Sequence, residues 1–138
     1  MPILIETDVL LALISLKDKH HADALRLVDS LLGEVKISPY SFIELDLLLK
    51  SGEILVEDLS AFYDVLSELL RYRQIDTYPL RFEYHREAFR LRGGHKNLTY
   101  FDSLHAAVAI VENLEIVSYD KGYERLTNVK YIHPKKYA

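Results

Sequence analysis

The stretch "ILIETDVLLAL" (residues 3–13) decides how the chain is read, because an apolar run fit for a core carries Glu6, Thr7 and Asp8 in its middle. Carboxylates are seldom buried unless a cation or several hydrogen bonds compensate the lost hydration. Residues 2–6 read as a short buried strand, and the leucine-rich stretch 9–16 behind it reads as a helix, so both acids fall at the junction.

The rest of the chain repeats this alternation. "HADALRLVDSLL" spaces Ala24, Leu27, Val28, Leu31 and Leu32 as a helix stopped by Gly33, and "EVKIS" reads as a second strand. Ser38 and Pro39 then open a helix that runs to the Ser51–Gly52 break. The clearest amphipathic pattern is Leu59, Phe62, Tyr63, Leu66, Leu69 and Leu70, a helix whose apolar face is expected in the core. "QIDTYPL" reads as a third strand, residues 80–92 as a helix, and "GGHKNLT" as a Gly-rich loop before the helix "YFDSLHAAVAIVEN". "EIVSYD" and "VKYIHP" supply strands four and five. Strands alternating with helices predict an α/β fold in three layers, a central, mostly parallel sheet of about five strands flanked by helices. In such sheets ligands gather outside the carboxyl ends of the strands.

The 138 residues, 49% of them hydrophobic, fit one domain spanning 1–138 with its own core. With no Cys, disulfides and thiolate zinc sites are excluded, which leaves metal binding to carboxylates and six His. No apolar stretch approaches the ~20 residues of a spanning helix. The start lacks the basic leader of a secretory signal, so a cytoplasmic protein without a membrane partner is expected. A net charge of -4 argues against a broadly basic nucleic-acid coat, but not against a local basic rim.

Each acid has a structural and a functional reading. Thr7 or Asp8 could cap the next helix while Glu6 faces solvent. Glu44 follows Ser41 at capping-box spacing, Asp102 follows Thr99 in the same way, and Asp120 could form an Asx turn before Lys121 and Gly122. Jointly, however, all of them are read at a strand's carboxyl end or in the first turn of the helix that follows such a strand. Clustered carboxylates raise one another's pKa and persist most readily around a hard cation, Mg²⁺ or Mn²⁺ with oxygen ligands.

"LIETDVLLAL", "SPYSFIEL", "LTYFDSLHAAVA" and "IVSYDKGYERL", in that order, resemble the four acidic blocks of the PIN domain, a metal-dependent nuclease family that includes VapC-like toxins. By this resemblance, Glu44, Asp102 and Asp120 take the second, third and fourth acidic positions, and Ser118 takes the hydroxyl position before the last acid. The first block departs from the pattern: Glu6 replaces the customary Asp, and Asp8 stands where Asn or Ser is common. The resemblance implies a PIN-like fold and Mg²⁺- or Mn²⁺-dependent hydrolysis of phosphodiester bonds, usually in RNA. Asp102 and Glu6 would be the preferred direct ligands, with Glu44, Asp8 and Asp120 holding the metal or orienting water. It also implies a toxin of a toxin–antitoxin pair, with an antitoxin or a second copy of the chain as protein partner.

Other residues are open in role. Thr7 accompanies the first acids, and "RGGHKN" could hold phosphate through Arg92, His95 and Lys96 or be a plain connector. His105 lies three residues after Asp102 on one helical face and is expected to pack beside Ala106 with a single hydrogen bond. His20 and His21 read as solvated. The ten Tyr, Tyr63 and Tyr72 among them, are expected in the core or an interface rather than as base-stacking platforms. Rival functions are a catalytically weakened PIN-like module that binds RNA or protein, and a phosphoacceptor receiver, which fits poorly because Asp76 sits inside its strand. A haloacid-type phosphotransferase would need Glu6 as its nucleophilic Asp.

Overall fold

The computed structural model describes residues 2–137. Its sheet is built from β1 (Ile3–Ile5), β2 (Val35–Ile37), β3 (Asp76–Thr77), β4 (Glu115–Val117) and β5 (Lys130–Ile132), in the order β3-β2-β1-β4-β5. Every pairing is parallel, so the expected mostly parallel sheet is wholly parallel. Among the described residues six α-helices flank it: α1 (Thr7–Ile14), α2 (His21–Ser30), α3 (Pro39–Lys50), α4 (Leu59–Tyr72), α5 (Phe82–Gly94) and α6 (Tyr100–Val111).

The central strands β1 and β4 are apolar on both faces because both faces are covered there. Ile3, Ile5, Val35, Ile37 and Val117 pack into one buried cluster with residues of α1 and α2. Leu4 and Ile116 point the other way, toward Tyr84 and Leu91 of α5 and Leu104 and Val108 of α6. This period-two division produces the three layers.

The chain leaves β1 toward β2 on one side and later returns to β4 on the other. Helices therefore diverge between the carboxyl ends of β1 and β4, which opens a crevice there. Glu6 lies at its edge: its N–H continues the ladder to the Val117 carbonyl at 3.0 Å, and its next residue begins α1.

Three local expectations differ. Helix α1 starts at Thr7 rather than Val9, because Glu6 itself caps it. The apolar face of α4 is incompletely covered: Leu66 is buried, Phe62, Tyr63, Leu69 and Leu70 are partly so, and Leu59 remains half exposed. Strand β3 is only two residues long at the sheet edge, and its Asp76 pairs with Lys36 Nζ at 3.0 Å, far in topology from a receiver's central phosphoacceptor. Among the described residues no helix is long and apolar enough to cross a membrane.

Candidate active site

Glu6 is the N-cap of α1. Its backbone is extended (φ -81°, ψ 167°) and its Oε1 accepts the Thr7 N–H at 2.7 Å, leaving the side chain folded inward and only 6% exposed. The alternative in which Glu6 faces solvent is thereby set aside. Asp8 follows in the first turn, where its Oδ2 accepts from Ser118 Oγ and from the Tyr119 N–H, both at 2.9 Å. Its Oδ1 is buried with no hydrogen-bond partner among the described residues.

Ser118, just past β4, joins the two acids. Its hydroxyl lies 2.9 Å from Asp8 Oδ2 and 3.3 Å from Glu6 Oε2, but it has one hydrogen to give. Asp8 is nearer, so Glu6 Oε2 is poorly served. Ser118 Oγ in turn accepts the Asp120 N–H at 3.0 Å.

Helix α3 brings Glu44. Ser38, not Ser41, caps that helix, accepting the Tyr40 N–H at 3.1 Å, so the Ser41–Glu44 capping box does not form. Ser41 instead accepts from Thr7 Oγ1 at 3.0 Å. The Glu44 carboxylate lies 2.8 Å from His105 Nε2, which is 3.2 Å from Thr7 Oγ1 and 3.7 Å from Glu6 Oε1. One donor atom from each of Glu6, Glu44 and His105 lies within 4.8 Å of the others. His105 is buried as expected, but it faces the acids rather than merely packing beside Ala106. Its position on the Asp102 face was the only sequence signal for this.

Helix α6 brings Asp102. Thr99 caps the helix by accepting the Asp102 N–H at 3.2 Å, while the carboxylate accepts from Tyr123 Oη at 3.2 Å instead of closing a capping box. Asp120 does form the Asx turn, accepting the Gly122 N–H at 2.8 Å. A Cβ on Gly122 would stand 3.0 Å from that Asp120 oxygen, a tight approach.

Burial pushes the Glu6 carboxyl up to about 7, with repulsion from Asp8, Glu44 and Asp102 adding to it and His105 opposing. Burial also raises Asp8 against the hydrogen bonds from Ser118 and Tyr119, and raises Asp102 against those from Thr99 and Tyr123. Glu44 is different. Burial raises it, but the hydrogen bond and charge of His105, with the Thr7 hydroxyl close by, outweigh that, and the net shift is downward.

Beside these acids opens a cleft of about 340 Å³ lined by Asp102, Asp120, His95, Lys96, Tyr123 and Arg125, among others. It brings His95 and Lys96 to the acids but not Arg92. Arg92 sits in the last turns of α5, donating to Ser103 Oγ at 2.6 Å and lying 5.1 Å from the Tyr100 ring centre. Tyr123 and Arg125 escaped sequence reasoning, since "KGYER" carries no spacing that ties it to Asp102. His20 and His21 are not simply solvated: His20 stacks on Tyr119 at 3.8 Å, and His21 Nδ1 lies 2.8 Å from the Ala12 carbonyl. Tyr63 hydrogen-bonds Asp46, whereas Tyr72 is 81% exposed and outside the core.

No curated protein matches the chain. Solved structures do: VapBC2 from Rickettsia felis, bound to a DNA fragment from its promoter, aligns at 17% identity and TM-score 0.78 over 96% of this chain and 98% of that one. A toxin–antitoxin complex from Klebsiella pneumoniae aligns at 16% identity and TM-score 0.67, covering 96% and 97%. FitAcB from Neisseria gonorrhoeae aligns at 21% identity and TM-score 0.69, covering 96% and 98%. These likenesses concern the fold. The family model of the PIN domain matches residues 3–129, nearly the whole sequence, and the chain therefore belongs to the PIN domain family.

Proposed function

We propose that this protein is a divalent-metal-dependent endoribonuclease that hydrolyses RNA phosphodiester bonds, and that it is the toxin of a toxin–antitoxin pair. The observation that carries this reading is the convergence of Glu6, Asp8, Glu44 and Asp102 from β1, α1, α3 and α6 on one crevice, where burial and mutual repulsion raise Glu6 to about 7. Unless something neutralises it, such a cluster weakens the fold. The unpartnered Asp8 Oδ1 and the oxygen-rich donor set fit Mg²⁺ or Mn²⁺.

In this proposal Glu6, Asp8, Glu44, Asp102 and Asp120 hold the cation or orient water, with Glu6 and Asp102 as its preferred direct ligands. Such an ion, when bound, supplies charge neutralisation of the phosphodiester and a lowered pKa for the attacking water. Thr7 and Ser118 fix the carboxylates through the contacts described above. His95, Lys96 and Arg125 line the cleft beside Asp102 and Asp120, where they would bind RNA phosphates. Lys96 and Arg125 make no hydrogen bond or ion pair with the described residues, so their charges are available. Arg92 would act at the rim, where its contact with Tyr100 orients it.

A protein partner is supported by the similar structure from Klebsiella pneumoniae, which is a toxin–antitoxin complex. It is also supported by the exposed apolar side chains Ile43 and Leu47 on α3 and Leu59 and Val65 on α4, which suit an antitoxin or a second copy of the chain. A catalytically weakened RNA- or protein-binding module is the second reading. The observation favouring it is Glu6 itself, whose Oε1 is engaged by the Thr7 N–H.

Pure protein incubated with structured and single-stranded RNAs, in Mg²⁺, Mn²⁺ or EDTA, beside Asp102→Asn, separates the two. Cuts that need metal and vanish in the variant are the expected result. RNA retained but uncut under every condition would favour the binding module.

A further inference from the structure

His105 is fully enclosed, and its two ring nitrogens have opposite surroundings. Nε2 faces Glu44 Oε1 at 2.8 Å, Thr7 Oγ1 at 3.2 Å and Glu6 Oε1 at 3.7 Å. Nδ1 is buried without a hydrogen-bond partner among the described residues. Two roles are therefore open to the ring: it could ligate a metal through a bare Nε2, or it could donate an Nε2–H to the carboxylates.

The tautomer distinguishes them. A bare Nε2 puts the hydrogen of a neutral ring on Nδ1. Ligating histidines almost always donate that second N–H to a carboxylate, a carbonyl or water. Here the donor would be shut in without an acceptor, while a lone pair on Nε2 faced the lone pairs of Glu44. With the hydrogen on Nε2 both conflicts vanish. The N–H points at an anionic acceptor, which makes a strong, charge-assisted bond, and only a weaker acceptor is left unserved at Nδ1. Thr7 Oγ1, whose own hydrogen goes to Ser41, presents a lone pair to the same N–H.

We propose that His105 is a positioning residue rather than a metal ligand: its Nε2–H holds Glu44 against Glu6 and leaves the centre an all-oxygen set. The part concerning the centre rests on the metal-dependent reading above; the tautomer does not. An all-oxygen set favours hard cations over those that seek nitrogen.

The test is the ¹⁵N spectrum of the His105 ring at pH 8, through long-range proton correlations, in the metal-free protein and with Mg²⁺ or ¹¹³Cd²⁺ added. Nε2 should carry hydrogen throughout, with no coupling to cadmium. Hydrogen on Nδ1 alone, or a cadmium–Nε2 coupling, would overturn the proposal. Calorimetry with Mn²⁺ supplies a second readout. His105→Gln, whose amide can place an N–H near the site of Nε2, should stay within about threefold of the native affinity, while His105→Ala weakens it about tenfold. Equal losses in both variants would contradict the donor role, as would an unchanged His105→Ala. If the alanine variant fails to fold, the spectrum of the native protein still decides. If the native protein binds no Mn²⁺ while Nε2 keeps its hydrogen, the failure belongs to the metal reading and the donor assignment stands.

Discussion

The two halves of the acidic crevice are built differently. On the β1 side, Glu6 and Asp8 are enclosed and compete for the hydrogen of Ser118, and burial raises both. On the β4 side, Asp102 and Asp120 open into a cleft shared with Lys96 and Arg125. Enclosure concentrates a field on a small ion, whereas an open, partly basic rim suits a long anionic chain. Under the proposed function, cation binding belongs chiefly to the enclosed half and RNA contact to the open one, with Asp102 between them.

The largest effect is expected where the halves meet. Asp102→Asn should lower RNA cleavage about a thousandfold, the loss of several kcal/mol of charge stabilisation, with an unchanged circular-dichroism spectrum. Cleavage within tenfold of the native rate would remove Asp102 from its assigned place.

The enclosed half should reveal its strain in stability. Glu6 has a folded-state pKa raised from 4.5 to about 7, so the folded chain holds a proton that the unfolded chain releases between those values. That contribution is fully present below pH 4.5 and is lost as pH rises through about 7. Glu6→Gln should therefore stabilise the metal-free protein at pH 8 by on the order of 2 kcal/mol, and by much less at pH 4.5, in urea titrations. Destabilisation at pH 8 would mean that Glu6 is not under electrostatic strain. The same shift predicts that the rise in melting temperature caused by Mn²⁺ grows from pH 5.5 to pH 7.5, because cation and proton compete for the carboxylates.

The open half should respond as a polyelectrolyte site. Replacing Lys96 and Arg125 together with Ala should weaken binding of single-stranded RNA several-fold and lower the salt slope by about 1.4, with Mn²⁺ affinity unchanged. The smallest effect belongs to Asp120→Asn, which keeps the oxygen that accepts the Gly122 N–H; unfolding free energy should change by less than about 0.5 kcal/mol.

Much of this contrast is legible in the sequence. Apolar strands followed by an acid announce a parallel sheet with carboxylates at its exits, and that pattern points to Glu6 and Asp120, whereas Glu44 lies in the second turn of α3 and Asp102 begins a helix that follows another helix, α5. Individually, Glu44 and Asp102 also match a capping box and Asp120 an Asx turn, and local spacing does not choose. The choice depended on long-range partners: Ser41 turns to Thr7 rather than to a helix end, and Asp102 turns to Tyr123, 21 residues on. His105 shows the same limit, since one apolar helix face holds core and site residues alike. For α4, periodicity identified the helix and its apolar face but not the extent of its covering, which is set by the neighbours it meets.

The central claim is that the enclosed carboxylates hold a divalent cation, and Mn²⁺ titration calorimetry at pH 6.0 and pH 7.5, on the native protein and Asp102→Asn, tests it most directly. The account predicts binding that tightens with pH, releases protons at the lower pH and is strongly weakened in the variant. Absence of binding at either pH, or equal binding by the variant, would contradict it.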